Sequence, residues 1–132
     1  MGFINNNIVS REDMQVFKDL GEDLSSAYFC WVSHDGEHWD IELNDDRCIK
    51  DNYEFIEFAY DITYFLDNLP EYVTIGNIEY YLSITKGSVM YVSKDGIVLI
   101  NIEGPLKGCL LHAYKCIVMI HTFEVYISKI NK

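Results

Sequence analysis

Short apolar segments separated by turn residues run from Tyr72 to Ile102, and this pattern constrains the fold more than any other feature of the chain. Alternation and turn signals predict four strands here, the last two joined by the hairpin turn Asp95-Gly96. Because strands joined by tight turns pair antiparallel, the pattern predicts a mainly antiparallel sheet. Both faces of the last hairpin are apolar, so we expect it to lie centrally. The predicted strands are Tyr72–Ile75, Ile78–Thr85, Ser88–Ser93 and Ile97–Ile102.

The first part of the chain predicts a helix followed by a hairpin. Ser10 and Asp13 have the spacing of a capping box, which predicts a helix over 11–20. Strands over 28–33 and 37–43 then flank Asp35-Gly36, which we interpret as a two-residue turn. In that register Trp31, Asp40 and Glu42 lie on one face of the hairpin, together with Phe29 and His38.

A second helix is predicted from Asp51 to Leu69, because apolar residues recur there at helical spacing until Pro70. This helix aligns four carboxylates along one face, namely Asp51, Glu54, Glu57 and Asp61. After Pro105 the pattern fits both helix and strand; we leave 106–116 open and predict a strand over 118–130. The expected fold is a single α+β domain over 1–132, an antiparallel sheet packed by two helices from the N-terminal half.

The charge is strongly acidic and unevenly distributed. Ten Lys and Arg face 21 Asp and Glu, a formal charge of −11. Residues 1–80 hold 18 acids and four bases, whereas residues 81–132 carry a charge of +3. Such a field repels phosphate backbones and anionic membranes, so we expect neither nucleic acid nor membrane as a partner. The same field attracts cationic proteins. The alternative explanation is that the charge only keeps the protein soluble.

No pattern in the chain identifies a reaction. It has no P-loop, no dinucleotide fingerprint and no nucleophile elbow. Cys30, His34 and His38 come closest to a zinc set, but hairpin geometry directs Cys30 and His38 to opposite faces. We therefore predict no catalytic residue, no metal and no cofactor. Four cysteines without a C-x-x-C pair, and no signal peptide or apolar span, predict reduced thiols in a cytoplasmic protein.

Aromatic side chains interleaved with carboxylates suit a partner rich in Arg and Lys, through ion pairs and cation–π contacts. The predicted partner-binding residues are Asp51, Glu54, Glu57, Asp61, Tyr60, Tyr64, Trp31, Asp40 and Glu42.

In its size, acidity, abundance of tyrosine and lack of catalytic motifs, the chain resembles the immunity proteins of bacterial contact-dependent inhibition and related polymorphic toxin systems. The resemblance implies a cytoplasmic protein that binds and blocks a cognate toxin, often a basic nuclease. Three alternatives stay open: a phage-type inhibitor or DNA mimic, a small enzyme with an acidic pocket, and an oligomerising domain that associates through its apolar C-terminal strands.

Overall fold

The computed structural model describes residues 7–45 and 53–130, with the side chains of its last helix described as far as His121. Over these ranges the chain forms three helices and seven strands, all paired antiparallel, which confirms the α+β class. The helices are α1 (Arg11–Asp19), α2 (Ile62–Asn68) and α3 (Leu106–Ile130). The strands are β1 (Phe29–Ser33), β2 (Asp40–Leu43), β3 (Phe55–Ala59), β4 (Tyr72–Ile75), β5 (Ile78–Thr85), β6 (Ser88–Val92) and β7 (Val98–Glu103).

The chain divides into two compact units, Met1–Tyr64 and Phe65–Lys132, with the division falling inside α2. Each unit contains one sheet: the order is β2-β1-β3 in the N-terminal unit and β4-β5-β6-β7 in the C-terminal unit. The expectation that residues 1–132 behave as one domain stays a prediction.

Helix α1 confirms the predicted first helix. The Ser10 side chain accepts a hydrogen bond from the backbone N–H of Asp13 at 3.1 Å, as an N-cap does. Met14 and Phe17 are buried on the inner face of the helix. The Phe17 ring meets Tyr60 edge-on at 5.2 Å, and Tyr60 stacks on Tyr64 at 4.1 Å, so these aromatic rings form the core of the N-terminal unit.

The predicted register of the first hairpin is wrong by one residue. Val32 pairs with Asp40 and Trp31 pairs with Ile41, across a six-residue connection rather than a two-residue turn. The connection is longer because the Asp35 carboxylate accepts the backbone N–H groups of Glu37 and His38. In a two-residue turn these N–H groups would belong to the returning strand. Trp31 therefore lies on the opposite face from the carboxylates of β2, because a one-residue shift moves a side chain to the other face.

The predicted helix over 51–69 is wrong for most of its length. Residues 55–59 form β3, which pairs with β1, and helical structure begins only at Ile62. Asp61 lies between β3 and α2, and its carboxylate accepts the backbone N–H of Tyr64 at 3.1 Å, as a helix N-cap does. The apolar spacing that predicts one long helix thus belongs to a strand followed by a two-turn helix.

The C-terminal unit confirms the four predicted strands to within one residue. Gly76 and Asn77, both at positive φ, form the two-residue turn between β4 and β5. The expectation of a central last hairpin is wrong for β7, which lies at the sheet edge with Val98 49% exposed. A bulge near Val92 also places Val98 opposite Val92, on the face away from the buried Tyr91.

The C-terminal segment is helical, so the predicted strand over 118–130 is wrong and the open stretch 106–116 is resolved as helix. Cys109, Leu110, Ala113 and Tyr114 are buried, a helical spacing that continues the one read from Leu106 onward. The apolar residues after Cys116 fit the spacing of a helix and that of a strand equally well. The structure continues α3 through them. Within the described ranges, no helix is both long and apolar enough to cross a membrane.

Candidate protein-binding surface

The net charge of the molecule lies in one unit. Met1–Tyr64 holds 15 acidic and four basic residues, a formal charge of −11, whereas Phe65–Lys132 holds six of each and is neutral. Among the residues described in the N-terminal unit, nine carboxylate side chains are exposed. They are Glu12, Asp13, Asp19, Asp23, Asp35, Glu37, Asp40, Glu54 and Glu57.

In the connection between β1 and β2, both oxygens of the Asp35 carboxylate are hydrogen-bonded. Oδ1 of Asp35 accepts the backbone N–H groups of Glu37 and His38 at 2.8 and 2.9 Å, and Oδ2 lies 2.7 Å from Nδ1 of His38. Hydrogen bonds from the backbone and ring of His38, with the one from Glu37, hold the pKa of Asp35 well below its ordinary value. The bond to Asp35 and its charge, with a smaller contribution from Asp40, raise the pKa of His38.

The carboxylates of β2 adjoin an aromatic residue that precedes β3. The hydroxyl of Tyr53 donates to Oε1 of Glu42 at 3.2 Å, and its ring stacks on His34 at 4.7 Å. Desolvation, the charge and hydrogen bond of Glu42, and the charge of Asp40 raise the pKa of Tyr53. Because Asp40 perturbs both His38 and Tyr53, these groups belong to one electrostatically coupled region.

We define the acidic hairpin surface as the carboxylates of β2 and of the connection before it, with their aromatic neighbour. Its members are Asp35, Glu37, Asp40, Glu42 and Tyr53. Asp40 and Glu42 are predicted partner-binding residues, and here they lie on the face shared with Cys30 and Val32 of β1. Tyr53 packs against that buried pair. The surface therefore has an aromatic and apolar base with carboxylates at its rim.

A second site brings an arginine of the chain onto an aromatic ring. The guanidinium of Arg11 lies 3.6 Å from the centre of the Trp39 ring, and its Nε donates to Glu57. Both partners of the ion pair stay partly exposed, at 39% and 44% of their side-chain area. Glu57, a predicted partner-binding residue, is thus already engaged by a cation of its own chain.

Three predicted partner-binding residues are in the core rather than on the surface. Asp61, Tyr60 and Tyr64 are 5%, 0% and 5% exposed. Asp61 caps α2, whereas the two rings stack on each other. The predicted placement of these side chains on one exposed helix face is therefore wrong, because the segment forms a strand followed by a capped helix.

The remaining predicted residues are dispersed. Glu54 is exposed just before β3, whereas Asp51 lies outside the described residues. Trp31 is half-buried, and its Nε1 donates to the backbone carbonyl of Val9 at 2.9 Å, which uses its only polar atom inside the unit.

Sequence reasoning missed Asp35, Glu37, Trp39 and Tyr53. Asp35-Gly36 looked like a two-residue turn, and only the hydrogen bonds of the folded loop show the carboxylate's role. Tyr53 falls inside the segment predicted as a helix, so its contact with Glu42 is not expected from the sequence. The signal in the sequence is four acids within nine residues, from His34 to Glu42, around the single aromatic residue Trp39.

A groove of about 370 Å³ runs between α1 and the outer edge of β3. The helix contributes one face, with Arg11, Met14, Gln15 and Lys18 at the spacing of adjacent helical turns. The strand contributes Ile56, Glu57 and Phe58, and the segment after α1 contributes Glu22, Asp23 and Leu24.

Two members of the acidic hairpin surface, together with His38, have the composition of a metal site. Ligand atoms of Asp35, Glu37 and His38 all lie within 4.8 Å of one another, and the three side chains are exposed. The Asp35 carboxylate is already committed to two backbone N–H groups and the His38 ring, so the cluster is explained by the hydrogen bonds of the loop.

Comparisons of this chain with protein-family models, with curated proteins and with solved structures gave no match.

Proposed function

We propose that this chain is an immunity-type protein that binds and neutralises a cognate cationic toxin domain in the cytoplasm of the bacterial cell that makes it. It acts by occluding the toxin, without a reaction or cofactor of its own. The observation that carries the proposal is the confinement of the whole net charge, −11, to the N-terminal unit, while the C-terminal unit is neutral. A charge needed only for solubility has no reason to be confined in this way.

The acidic hairpin surface is the part of that unit best suited to the first encounter. A field of one sign speeds association with an oppositely charged protein by about ten- to a thousandfold at low ionic strength. Glu37 and Asp40 are exposed, so they can meet Lys and Arg side chains without first being uncovered. In a basic nuclease, those cations are the ones that hold substrate phosphates, so covering them would block the reaction.

The experiment begins with affinity capture from the native cell on immobilised chain, followed by elution with salt. Association kinetics with the eluted protein are then measured at several ionic strengths for a triple variant, Glu37→Lys, Asp40→Lys and Glu54→Lys. We expect slower association and loss of the salt dependence, because three exposed carboxylates become cations.

The matched control carries the same charge change in the neutral unit, with Glu71→Lys, Asp95→Lys and Glu103→Lys, all exposed positions. We expect this variant to retain most of the salt dependence. Equal effects of the two triple variants would show that net charge alone, rather than the position of these acids in the N-terminal unit, governs binding. A captured partner that is a nucleic-acid-binding enzyme of the host, rather than a toxin, would favour the inhibitor or DNA-mimic alternative.

A further inference from the structure

The outer edge of β3 is a strand edge that faces a groove. In the described part of the N-terminal unit, β3 ends the sheet order β2-β1-β3, so no strand pairs with it on that side. Just beyond the end of β3, residues 7–9 of the same chain pair with this edge. The N–H of Val9 donates to the carbonyl of Tyr60 at 2.9 Å, and that of Ile62 donates to the carbonyl of Asn7 at 3.0 Å.

These hydrogen bonds determine which backbone groups of β3 point into the groove. Along an antiparallel strand, alternate residues direct both N–H and C=O to the same side. The carbonyl of Tyr60 points outward to Val9, and its N–H points outward to the sulfur of Met14 at 3.2 Å. By alternation, the N–H and C=O of Ile56 and Phe58 also point outward, and both residues line the groove.

The side chains around these backbone groups suit an extended peptide with apolar and basic residues. Ile56 is 39% exposed beside Phe58, and Met14 and Leu24 add apolar surface. Glu22 and Asp23 add carboxylates to the lining, and Lys18 adds a basic side chain. Arg11 also lines the groove, but Glu57 and Trp39 already hold its guanidinium. The acids and the −11 charge of the unit favour a cationic segment.

We propose that this groove receives an extended, basic and apolar segment of the partner protein, which pairs with β3 as a fourth strand between the sheet and α1. Pairing an extended segment with a free strand edge is a general mode of peptide recognition, in which backbone hydrogen bonds give affinity and side-chain pockets give specificity. The inference rests on the proposed function and specifies how the same cationic partner docks.

The test uses a synthetic peptide of six alternating lysine and valine residues, titrated into ¹⁵N-labelled protein and followed by NMR. We expect the largest shift changes, with slowed hydrogen exchange, at the N–H groups of Ile56 and Phe58. A second peptide of the same sequence with every amide N-methylated keeps the charge but cannot donate backbone hydrogen bonds. We expect it to bind at least about tenfold more weakly, since two or more such bonds are lost.

The protein variant that tests the mode is Ile56→Pro, with Ile56→Thr as its matched control. Proline removes an N–H that points away from β1, a replacement that edge strands tolerate, whereas threonine keeps the N–H. We expect Ile56→Pro to weaken peptide binding at least about tenfold and Ile56→Thr to weaken it much less. Should Ile56→Pro fail to fold, the N-methylated peptide gives the same comparison on the unaltered protein.

The failure of this inference is distinguishable from failure of the proposed function. Equal binding of the two peptides, or shift changes confined to the acidic hairpin surface, overturns strand pairing and leaves capture of a cationic partner standing. Absence of any change at Ile56 and Phe58 up to millimolar peptide also overturns it. Salt-independent association of the native partner, by contrast, removes the proposed function and this inference together.

Discussion

The guanidinium of Arg11 sits over the ring of Trp39, 3.6 Å from its centre, while its Nε is bound by Glu57. This arrangement joins the first helix, the β1–β2 connection and β3 through one side chain. It also shows within one chain the combination of aromatic face and carboxylate that is expected to recognise a partner's arginine. The N-terminal unit therefore already uses this chemistry to hold itself together.

The first prediction concerns the coupling of Arg11 to Trp39. In a double-mutant cycle of Arg11→Gln and Trp39→Leu, we expect a coupling free energy of about 0.5–1 kcal/mol, the range of exposed cation–π contacts. Urea unfolding of the four proteins measures it. A coupling below the error of the cycle would mean that the contact is formed without stabilising the fold. Because part of the guanidinium is exposed, the Glu57 pair should add little and weaken with salt.

The second prediction concerns His38. Its pKa is raised above 6.5 by the hydrogen bond and charge of Asp35, so the contact contributes stability that is fully present below pH 6.5 and lost as pH rises through the folded-state pKa. NMR titration of the His38 ring should show the raised pKa, and Asp35→Asn should return it toward 6.5. Asn keeps an acceptor for the backbone N–H groups, so the loop itself should persist.

In acid, the same pair gives the opposite pH dependence of stability, because here Asp35 rather than His38 changes its charge. The pKa of Asp35 is depressed, so its contribution to stability is present above its ordinary value of 3.8 and is lost as pH falls through the folded-state pKa. Acid unfolding of Asp35→Asn should therefore lack this component. An unchanged His38 titration in Asp35→Asn would contradict the assigned contact.

The third prediction separates a structural from a binding role for Asp61. Removing the cap with Asp61→Ala should lower the free energy of unfolding by about 1–2 kcal/mol, whereas Asp61→Asn should retain most of it, because asparagine caps helices about as well as aspartate. Denaturant unfolding measures both. If Asp61→Asn slowed association with a cationic partner as strongly as Asp40→Asn did, the buried position of Asp61 would be incompatible with the result.

The fourth prediction concerns Tyr91 in the C-terminal unit. Its ring is fully buried, its hydroxyl donates to the carbonyl of Pro70 at 2.8 Å, and burial raises its pKa to about 12. The neutral phenol is favoured in the fold, so this stabilisation is present below pH 10.0 and is lost as pH rises toward 12. Ultraviolet titration of Tyr91→Phe should show one phenol fewer ionising at high pH than titration of the unaltered chain.

That variant also reports on the hydrogen bond to Pro70. We expect Tyr91→Phe to lower the free energy of unfolding by about 1 kcal/mol at neutral pH, since it removes the hydrogen bond to the Pro70 carbonyl. If no phenol were missing from the late phase of the titration, Tyr91 would not be the buried group.

Predictions from the sequence succeeded where local chemistry alone sets the structure. The Ser10 cap and the four strands of the C-terminal unit depend on residues close in the chain. They failed for Phe55–Ala59, whose apolar spacing fits a helix but whose backbone pairs with β1, a partner more than twenty residues away. Pairing between distant segments overrides local periodicity because it satisfies the backbone and buries a face at once.

For the candidate site too, some properties follow from the sequence and others only from the tertiary structure. The sequence by itself determined the sign of the charge, its concentration toward the N-terminus and the nearness of aromatics to carboxylates, since these depend on composition and order alone. Only the tertiary structure decided which acids are available. Strand register separated Trp31 from Asp40 and Glu42, and packing buried Asp61. A charge stays wherever the sequence puts it, but whether it faces a partner depends on contacts between residues far apart in the chain.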